Sequence, residues 1–224
     1  MVLFTIASLV ISIIYYMRHP NLHIFAWYIA SSLVQDMSCI YAFPDRTPGD
    51  FRVDQMYVTA YIFMLFEFIA CNLFILRSIH SPQRRRILKI SAFLFLSLLA
   101  AETAVIIPDF TRMFGVNYSS YLVQECFFLV IPCLVYFYEL FLTKNLRPLR
   151  DQPAFWVITG ILFLNACDIP LLLTVDLMRG FHHFAEIYSL NYILYIILFV
   201  FLMKAFMCPP ENSKRTDPKL VYTL

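Results

Sequence analysis

Residues 119–143 read SSYLVQECFFLVIPCLVYFYELFLT. The run is largely apolar, it contains no Lys or Arg, and its charged residues are Glu125 and Glu139. An α-helix rises about 1.5 Å per residue, so a helix of this length is longer than the ~30 Å hydrocarbon core of a bilayer. The run therefore predicts a transmembrane helix that carries carboxyl groups within the membrane.

Stretches of similar character recur along the chain. Hydrophobic residues make up 61% of it, charged residues only 14%, and the mean hydropathy is +0.71. These values predict an integral membrane protein rather than a soluble domain. We predict an all-α fold, a polytopic bundle of seven transmembrane helices over residues 1–207, with a short tail at 208–224. The predicted spans are Val2–Met17, Leu22–Phe43, Gln55–Ile79, Ile87–Pro108, Ser119–Thr143, Phe155–Asp176 and Phe184–Met207.

The distribution of basic residues predicts the orientation of this bundle. If the connections alternate between the two sides of the membrane, all 17 Lys and Arg residues fall on one side except Arg46, Arg52, Arg112 and Arg179. Loops rich in Lys and Arg stay in the cytoplasm. We therefore predict an external N-terminus and a cytoplasmic C-terminus, which requires an odd number of spans.

Acidic residues inside the predicted spans are the strongest functional signal, and no Lys or Arg lies at comparable depth. An ionised acid at the centre of a bilayer costs ~2.5 kcal/mol or more, so each acid should face the protein interior, where it is protonated, hydrogen-bonded or paired with a cation. We predict an outward-facing acidic pocket that binds a proton, a cation or a small polar ligand. Its predicted residues are Asp36, Glu67, Glu102, Glu125, Asp168, Asn165 and Asn191.

Two further features bear on this pocket. Pro170 follows Asp168 closely, and Pro132 lies in the middle of its span, so we expect both helices to be broken there. Glu139 is predicted to form an interfacial ion pair near Lys144 and Arg147. A proton relay from Glu125 to Glu139 along one helix face is the alternative.

The sequence contains no motif of an enzyme. It lacks GxSxG, a glycine-rich phosphate loop and HExxH, and no His lies at core depth. His182, His183 and Glu186 have a spacing that could hold a metal, but such residues are also ordinary in a solvated loop. We predict no catalysis, cofactor, metal or nucleic-acid partner, and the lipid bilayer is the expected environment.

A basic run, Arg84, Arg85 and Arg86, follows the third predicted span. It could dock a cytoplasmic partner or contact anionic lipid, or it could simply determine the topology.

Short motifs add a resemblance. They are Leu65–Phe68 with Leu73–Arg77, then Tyr136–Phe141, then Gln152–Trp156 with Gly160–Phe163. The chain resembles a group of small, uncharacterised seven-span bacterial membrane proteins, which are similar to the membrane halves of some bacterial sensor histidine kinases. The resemblance implies a multi-pass protein of the bacterial inner membrane with a sensory or accessory role, and it gives weight to Glu67 and Glu139. We expect no kinase domain in the chain, so signalling would require a separate cytoplasmic protein.

Together these observations predict a non-enzymatic sensor or signalling-accessory protein. The alternative is a proton- or cation-coupled transporter of a small solute that uses the same acids.

Overall fold

A computed structural model of the protein describes residues 2–16, 19–42, 51–106, 118–142, 148–177 and 184–209. These ranges contain helices and no β-strand, which confirms the all-α prediction. Short 3-10 turns at Pro20–Leu22 and Leu149–Asp151 precede the second and sixth α-helices. The α-helices of the described ranges are α1 Val2–Tyr15, α2 His23–Ala42, α3 Phe51–Ser78, α4 Pro82–Ile106, α5 Tyr118–Leu142, α6 Pro153–Leu177 and α7 Phe184–Phe206.

Within the described residues, four helices are long and apolar enough to cross a membrane. They contain the segments Thr59–Ser78, Pro82–Ala104, Tyr121–Leu142 and Pro153–Thr174, which belong to α3, α4, α5 and α6. Shorter apolar segments, Val2–Tyr15 and Leu190–Phe206, lie in α1 and α7. The helices therefore have the length and composition of a membrane protein, as the sequence predicted.

Large apolar side chains cover the outside of the bundle. Leu3, Phe93 and Phe141 are each more than two-thirds exposed. Exposed apolar area on this scale would be unfavourable in water, whereas contact with lipid chains removes the penalty. The surface therefore fits a protein that is surrounded by lipid.

Six helices form a closed ring in which each helix packs against two neighbours, in the order α1, α2, α3, α5, α6 and α7. Helix α4 lies outside the ring and packs on α5 and α3. Its apolar segment is only 17% buried, compared with 44% for those of α3, α5 and α6. The interior of the ring therefore receives side chains from six helices, and α4 contributes little to it.

Gly160, the glycine in the described part of the chain, allows a close approach between α6 and α7. A Cβ atom added to Gly160 would lie 2.8 Å from Phe201 Cβ and 3.0 Å from Leu198 Cδ1. Small residues allow membrane helices to pack closely in this way.

The expected helix breaks are absent from these two helices. Helix α5 continues through Pro132, and α6 continues through Pro170. A proline removes one backbone N–H from a helix without ending it when the surrounding helices supply the packing. The prediction of discontinuous spans was therefore wrong, and Asp168 lies within an unbroken helix.

Candidate acidic site

Three carboxyl groups meet in one buried cavity inside the ring: Glu67 on α3, Glu125 on α5 and Asp168 on α6. Their exposed fractions are 6%, 4% and 5%. No Lys, Arg or His belongs to the lining in the described part of the chain. The lining consists of Glu67, Leu122, Glu125, Cys126, Leu164, Asn165, Asp168, Leu172, Asn191 and Tyr195.

Helical periodicity explains why these acids point inward. Glu125 lies four residues after Tyr121 and four before Leu129, and both of these neighbours are buried. Residues that are three or four positions apart share one face of a helix, so the apolar face that packs into the core carries the carboxyl group with it. Glu67 follows buried Met64 in the same way.

The size of the cavity limits what it can hold. The cavity has a volume of about 20 Å³. A single water needs ~10–15 Å³ by that measure, so the space suits one or two waters, a proton or a small ion. A cavity of this size is too small for the small polar organic ligand that was one of the predicted alternatives.

Two tyrosines hold the Glu67 carboxyl group. Tyr28 on α2 donates to Glu67 Oε1 at 3.0 Å, and Tyr195 on α7 donates to Oε2 at 3.5 Å. Hydrogen bonds that end on a carboxylate are stronger than those between neutral groups. Glu67 is thereby connected to both helices that flank α1 in the ring.

Other oxygen atoms of the cavity have no such donors. Glu125 Oε1, Asp168 Oδ1 and Asn191 Oδ1 are buried, and they find no hydrogen-bond partner among the described residues. Asn165 is tied instead to its own helix, because its Nδ2 donates to the carbonyl oxygen of Ile161 at 2.8 Å. A buried acceptor without a donor is unfavourable by ~1–3 kcal/mol, so these atoms are placed to accept a hydrogen bond or to take up a proton.

A chelated metal fits less well. Within the described ranges, no group of three His, Cys, Asp or Glu side chains is arranged to hold a metal ion. His182, His183 and the side chain of Glu186, which were considered as an external metal site, lie outside the described residues.

Two of the predicted pocket residues do not line the cavity. Asp36 accepts a hydrogen bond from Thr5 Oγ1 on α1, with an Oγ1–Oδ2 distance of 3.2 Å. Glu102 lies on the peripheral helix α4, where Gln124 Nε2 donates to its Oε1 at 2.8 Å. The predicted set is therefore divided among three places in the fold, and Glu67, Glu125, Asp168, Asn165 and Asn191 are the members that come together.

Sequence reasoning missed both tyrosines. Their apolar surroundings gave a usable signal, because a buried tyrosine hydroxyl normally needs a hydrogen-bond partner. The chain contains 14 Tyr residues, however, so this signal alone does not select Tyr28 and Tyr195.

Glu139 is engaged at the opposite end of α5. Its Oε1 accepts hydrogen bonds from the backbone N–H groups of His80 at 2.8 Å and Ser81 at 3.3 Å, and its Oε2 forms an ion pair with Arg84 Nη1 at 3.1 Å. Lys144 and Arg147, the predicted partners, lie outside the described residues. Glu139 thus anchors the turn between α3 and α4.

The three consecutive arginines differ in their surroundings. Arg84 pairs with Glu139 and lies 5.0 Å from the centroid of the Tyr138 ring. Arg85 Nε donates to the carbonyl oxygen of Ile79, close to the end of α3. Arg86 is exposed. Arg84 and Arg85 therefore form contacts within the protein, in addition to any contact with lipid or a partner protein.

Comparison with protein-family models, curated proteins and solved structures gave no match. The resemblance to the membrane halves of sensor histidine kinases stays a prediction. A function for this chain must therefore be inferred from the geometry of the cavity and the chemistry of its side chains.

Proposed function

We propose that the chain is a seven-span protein of the bacterial inner membrane, with its N-terminus outside, that binds protons at the acid cluster and acts as a sensor or signalling-accessory protein. Its α-helices overlap the seven apolar stretches of the sequence, and the excess of Lys and Arg on one side supports the orientation. The sensory role and the inner membrane are what the resemblance to sensor-kinase membrane halves implies.

The observation that carries the proposal is the meeting of Glu67, Glu125 and Asp168 in a cavity of water-molecule size whose described lining has no cationic side chain. Three negative charges in such surroundings would be desolvated and would repel one another. At least one proton or small cation must therefore share the cluster. Its occupancy would change with the proton or cation activity of the compartment to which the cavity connects.

Helix α5 links this cluster to the turn at the far end of the bundle. Glu125 lines the cavity, and Glu139 holds the turn between α3 and α4 through His80 and Ser81. A change of protonation alters the hydrogen bonds around Glu125 and favours one helix arrangement over another. The exposed side chains of Arg86 and Lys89, which come after this turn, would present the change to a separate cytoplasmic protein.

The transporter alternative requires a path from the cavity to the opposite side. Between Glu125 and Glu139, the inner face of α5 carries buried Leu129, Cys133 and Tyr136. Leu129 and Cys133 offer no group that conducts protons readily at this depth, so the relay from Glu125 to Glu139 is interrupted on this face. This packing favours a sensor over a carrier.

The test places a fluorophore at Arg86→Cys in the full chain in lipid nanodiscs. Protein without this substitution, labelled in the same way, measures the background from native cysteines. We expect a pH-dependent change in emission that disappears in a Glu125→Gln, Asp168→Asn variant and persists in Glu102→Gln, the matched control on α4. A pH response that survives in the cavity variant would refute the proposed coupling.

A further inference from the structure

A row of buried polar side chains runs along one face of α2. Tyr28, Ser32 and Asp36 are spaced four residues apart, and their exposed fractions are 1%, 2% and 9%. Residues with this spacing share one helix face, and eight residues span about 12 Å along the axis. Tyr28 is the residue that donates to Glu67, so the row begins at the acid cluster and ends at Asp36.

Helix α1 lines the same row from the other side. Thr5 donates to Asp36 near one end of the two helices, and His23 Nε2 lies 2.7 Å from the carbonyl oxygen of Tyr16 near the other. These two contacts show that α1 and α2 run antiparallel. Ser8, three residues after Thr5, therefore lies close to the level of Ser32.

Helix α1 carries three fully buried hydroxyl groups, on Thr5, Ser8 and Ser12, and their spacing puts Ser8 and Ser12 on the same helix face as Thr5, which contacts Asp36. Ser12 Oγ donates to the carbonyl oxygen of Leu9 at 2.8 Å, as serines in helices often do. Ser8 Oγ differs, because it has no hydrogen-bond partner in the described part of the chain. A fully buried hydroxyl group without a partner is unfavourable. A water molecule between Ser8 and the row would supply the hydrogen bond that Ser8 lacks.

We propose that this polar row between α1 and α2 is the path by which protons reach the acid cluster. It rests on the proposed function, since it supplies the protons that the cluster binds. A proton from external water binds to Asp36, and its O–H bond breaks as a new one forms on the next hydroxyl or intervening water. Each hydroxyl group releases one proton as it accepts another, so it is unchanged at the end. A carboxylate of the cluster gains one O–H bond. The external water loses one proton for each proton that the cluster gains.

Each end of the path is bounded by identified groups. Asp36 faces the hydroxyl group of Thr5 on α1. Among the described residues, the titratable groups around Glu67 are Tyr28 on α2, Cys71 on α3, Glu125 and Cys126 on α5, Asp168 on α6 and Tyr195 on α7. Tyr28 is therefore the group that joins the row to the cavity.

Neighbouring serines provide matched controls. Ser31 Oγ donates to the carbonyl oxygen of Tyr28, so Ser31→Ala removes a hydroxyl next to Ser32 without removing one from the row. Ser12→Ala serves the same purpose for Ser8→Ala on α1. A role in packing alone predicts similar effects of the two changes in each pair, whereas a proton path predicts different ones.

The measurement is time-resolved infrared absorption of protonated carboxyl groups after a rapid pH drop, with the full chain in nanodiscs. We expect Ser8→Ala and Ser32→Ala to slow protonation of the cluster by about tenfold or more, without changing the final amplitude. Asp36→Asn should slow it as well, and it also removes any contribution of the Asp36 carboxyl group to the amplitude. Ser12→Ala, Ser31→Ala and Ser32→Thr, which keeps the hydroxyl group, should match the unsubstituted protein.

Equal rates in Ser32→Ala and Ser31→Ala would overturn the path. That result is distinct from failure of the proposed function, because the latter would remove the infrared signal of the cluster from the unsubstituted protein itself. If Ser32→Ala failed to fold, the Ser8→Ala and Ser12→Ala pair would decide the question by the same comparison.

Discussion

Replacing Glu139 by Ala should destabilise the protein more than replacing its ionic partner Arg84 does. The Glu139 carboxylate is buried, and it accepts two backbone N–H groups as well as the ion pair. A backbone N–H group that loses its acceptor costs ~1–3 kcal/mol, so we expect Glu139→Ala, which leaves two such groups, to lower the free energy of unfolding by ~2–5 kcal/mol. The loss arises because the N–H groups of His80 and Ser81 lose their acceptor.

Arg84→Ala leaves both of those backbone hydrogen bonds in place. It removes one ion pair, in which the Arg84 side chain is 24% exposed, and a contact with the Tyr138 ring. Such contributions sum to ~1–2 kcal/mol. Arg150→Ala is the control, because its pair with Asp151 is 3.8 Å long, its side chain is 81% exposed, and the expected change is ~1 kcal/mol or less.

Reversible unfolding in mixed micelles, followed by circular dichroism, measures these differences. We expect Glu139→Ala to have the largest effect, Arg84→Ala a smaller one and Arg150→Ala the smallest. An Arg84→Ala effect equal to that of Glu139→Ala would mean that the ion pair, and not the backbone hydrogen bonds, holds the turn. A neutral Glu139→Ala variant would refute the anchoring role altogether.

Two further predictions concern the interior of the bundle. Gly160→Ala should lower the free energy of unfolding by ~1–3 kcal/mol, because the new Cβ would meet Phe201 Cβ. The control is Ala166→Ser on an exposed face of the same helix, which should change the free energy of unfolding by no more than ~0.5 kcal/mol. Equal losses in the two variants would contradict close packing of α6 on α7. Tyr28→Phe should shift the infrared band of the Glu67 carboxyl group more than Tyr195→Phe, since its hydrogen bond is 3.0 Å long and the other is 3.5 Å. The opposite order would contradict the orientation of Glu67.

Hydrophobic stretches in the sequence located the helices well, and the unfavourable energy of acids in lipid correctly placed Glu67, Glu125 and Asp168 inside the bundle. The arrangement of the helices could not be predicted in this way. The membrane segment of α4 is only slightly less apolar than those of α3 and α5, yet the helix packs outside the ring and carries Glu102 away from the cavity.

Tertiary contacts account for the other differences. Asp36 accepts a hydrogen bond from Thr5 because α1 packs beside α2. Hydropathy alone does not predict which helices are neighbours. The partner of Glu139 depends on the turn between α3 and α4, which brings Arg84 and two backbone N–H groups to the end of α5. Helix α6 continues through Pro170, as membrane helices that are packed among other helices can do.

Counting protons tests the acid cluster most directly. Potentiometric titration of the full chain in nanodiscs, from about pH 8 to about pH 5, gives the number of protons bound per protein. We predict that a Glu125→Gln, Asp168→Asn variant binds fewer protons over this interval than both the unsubstituted protein and the Glu102→Gln control. Equal proton uptake by all three proteins would contradict the proposal that the buried cluster is a proton-binding site.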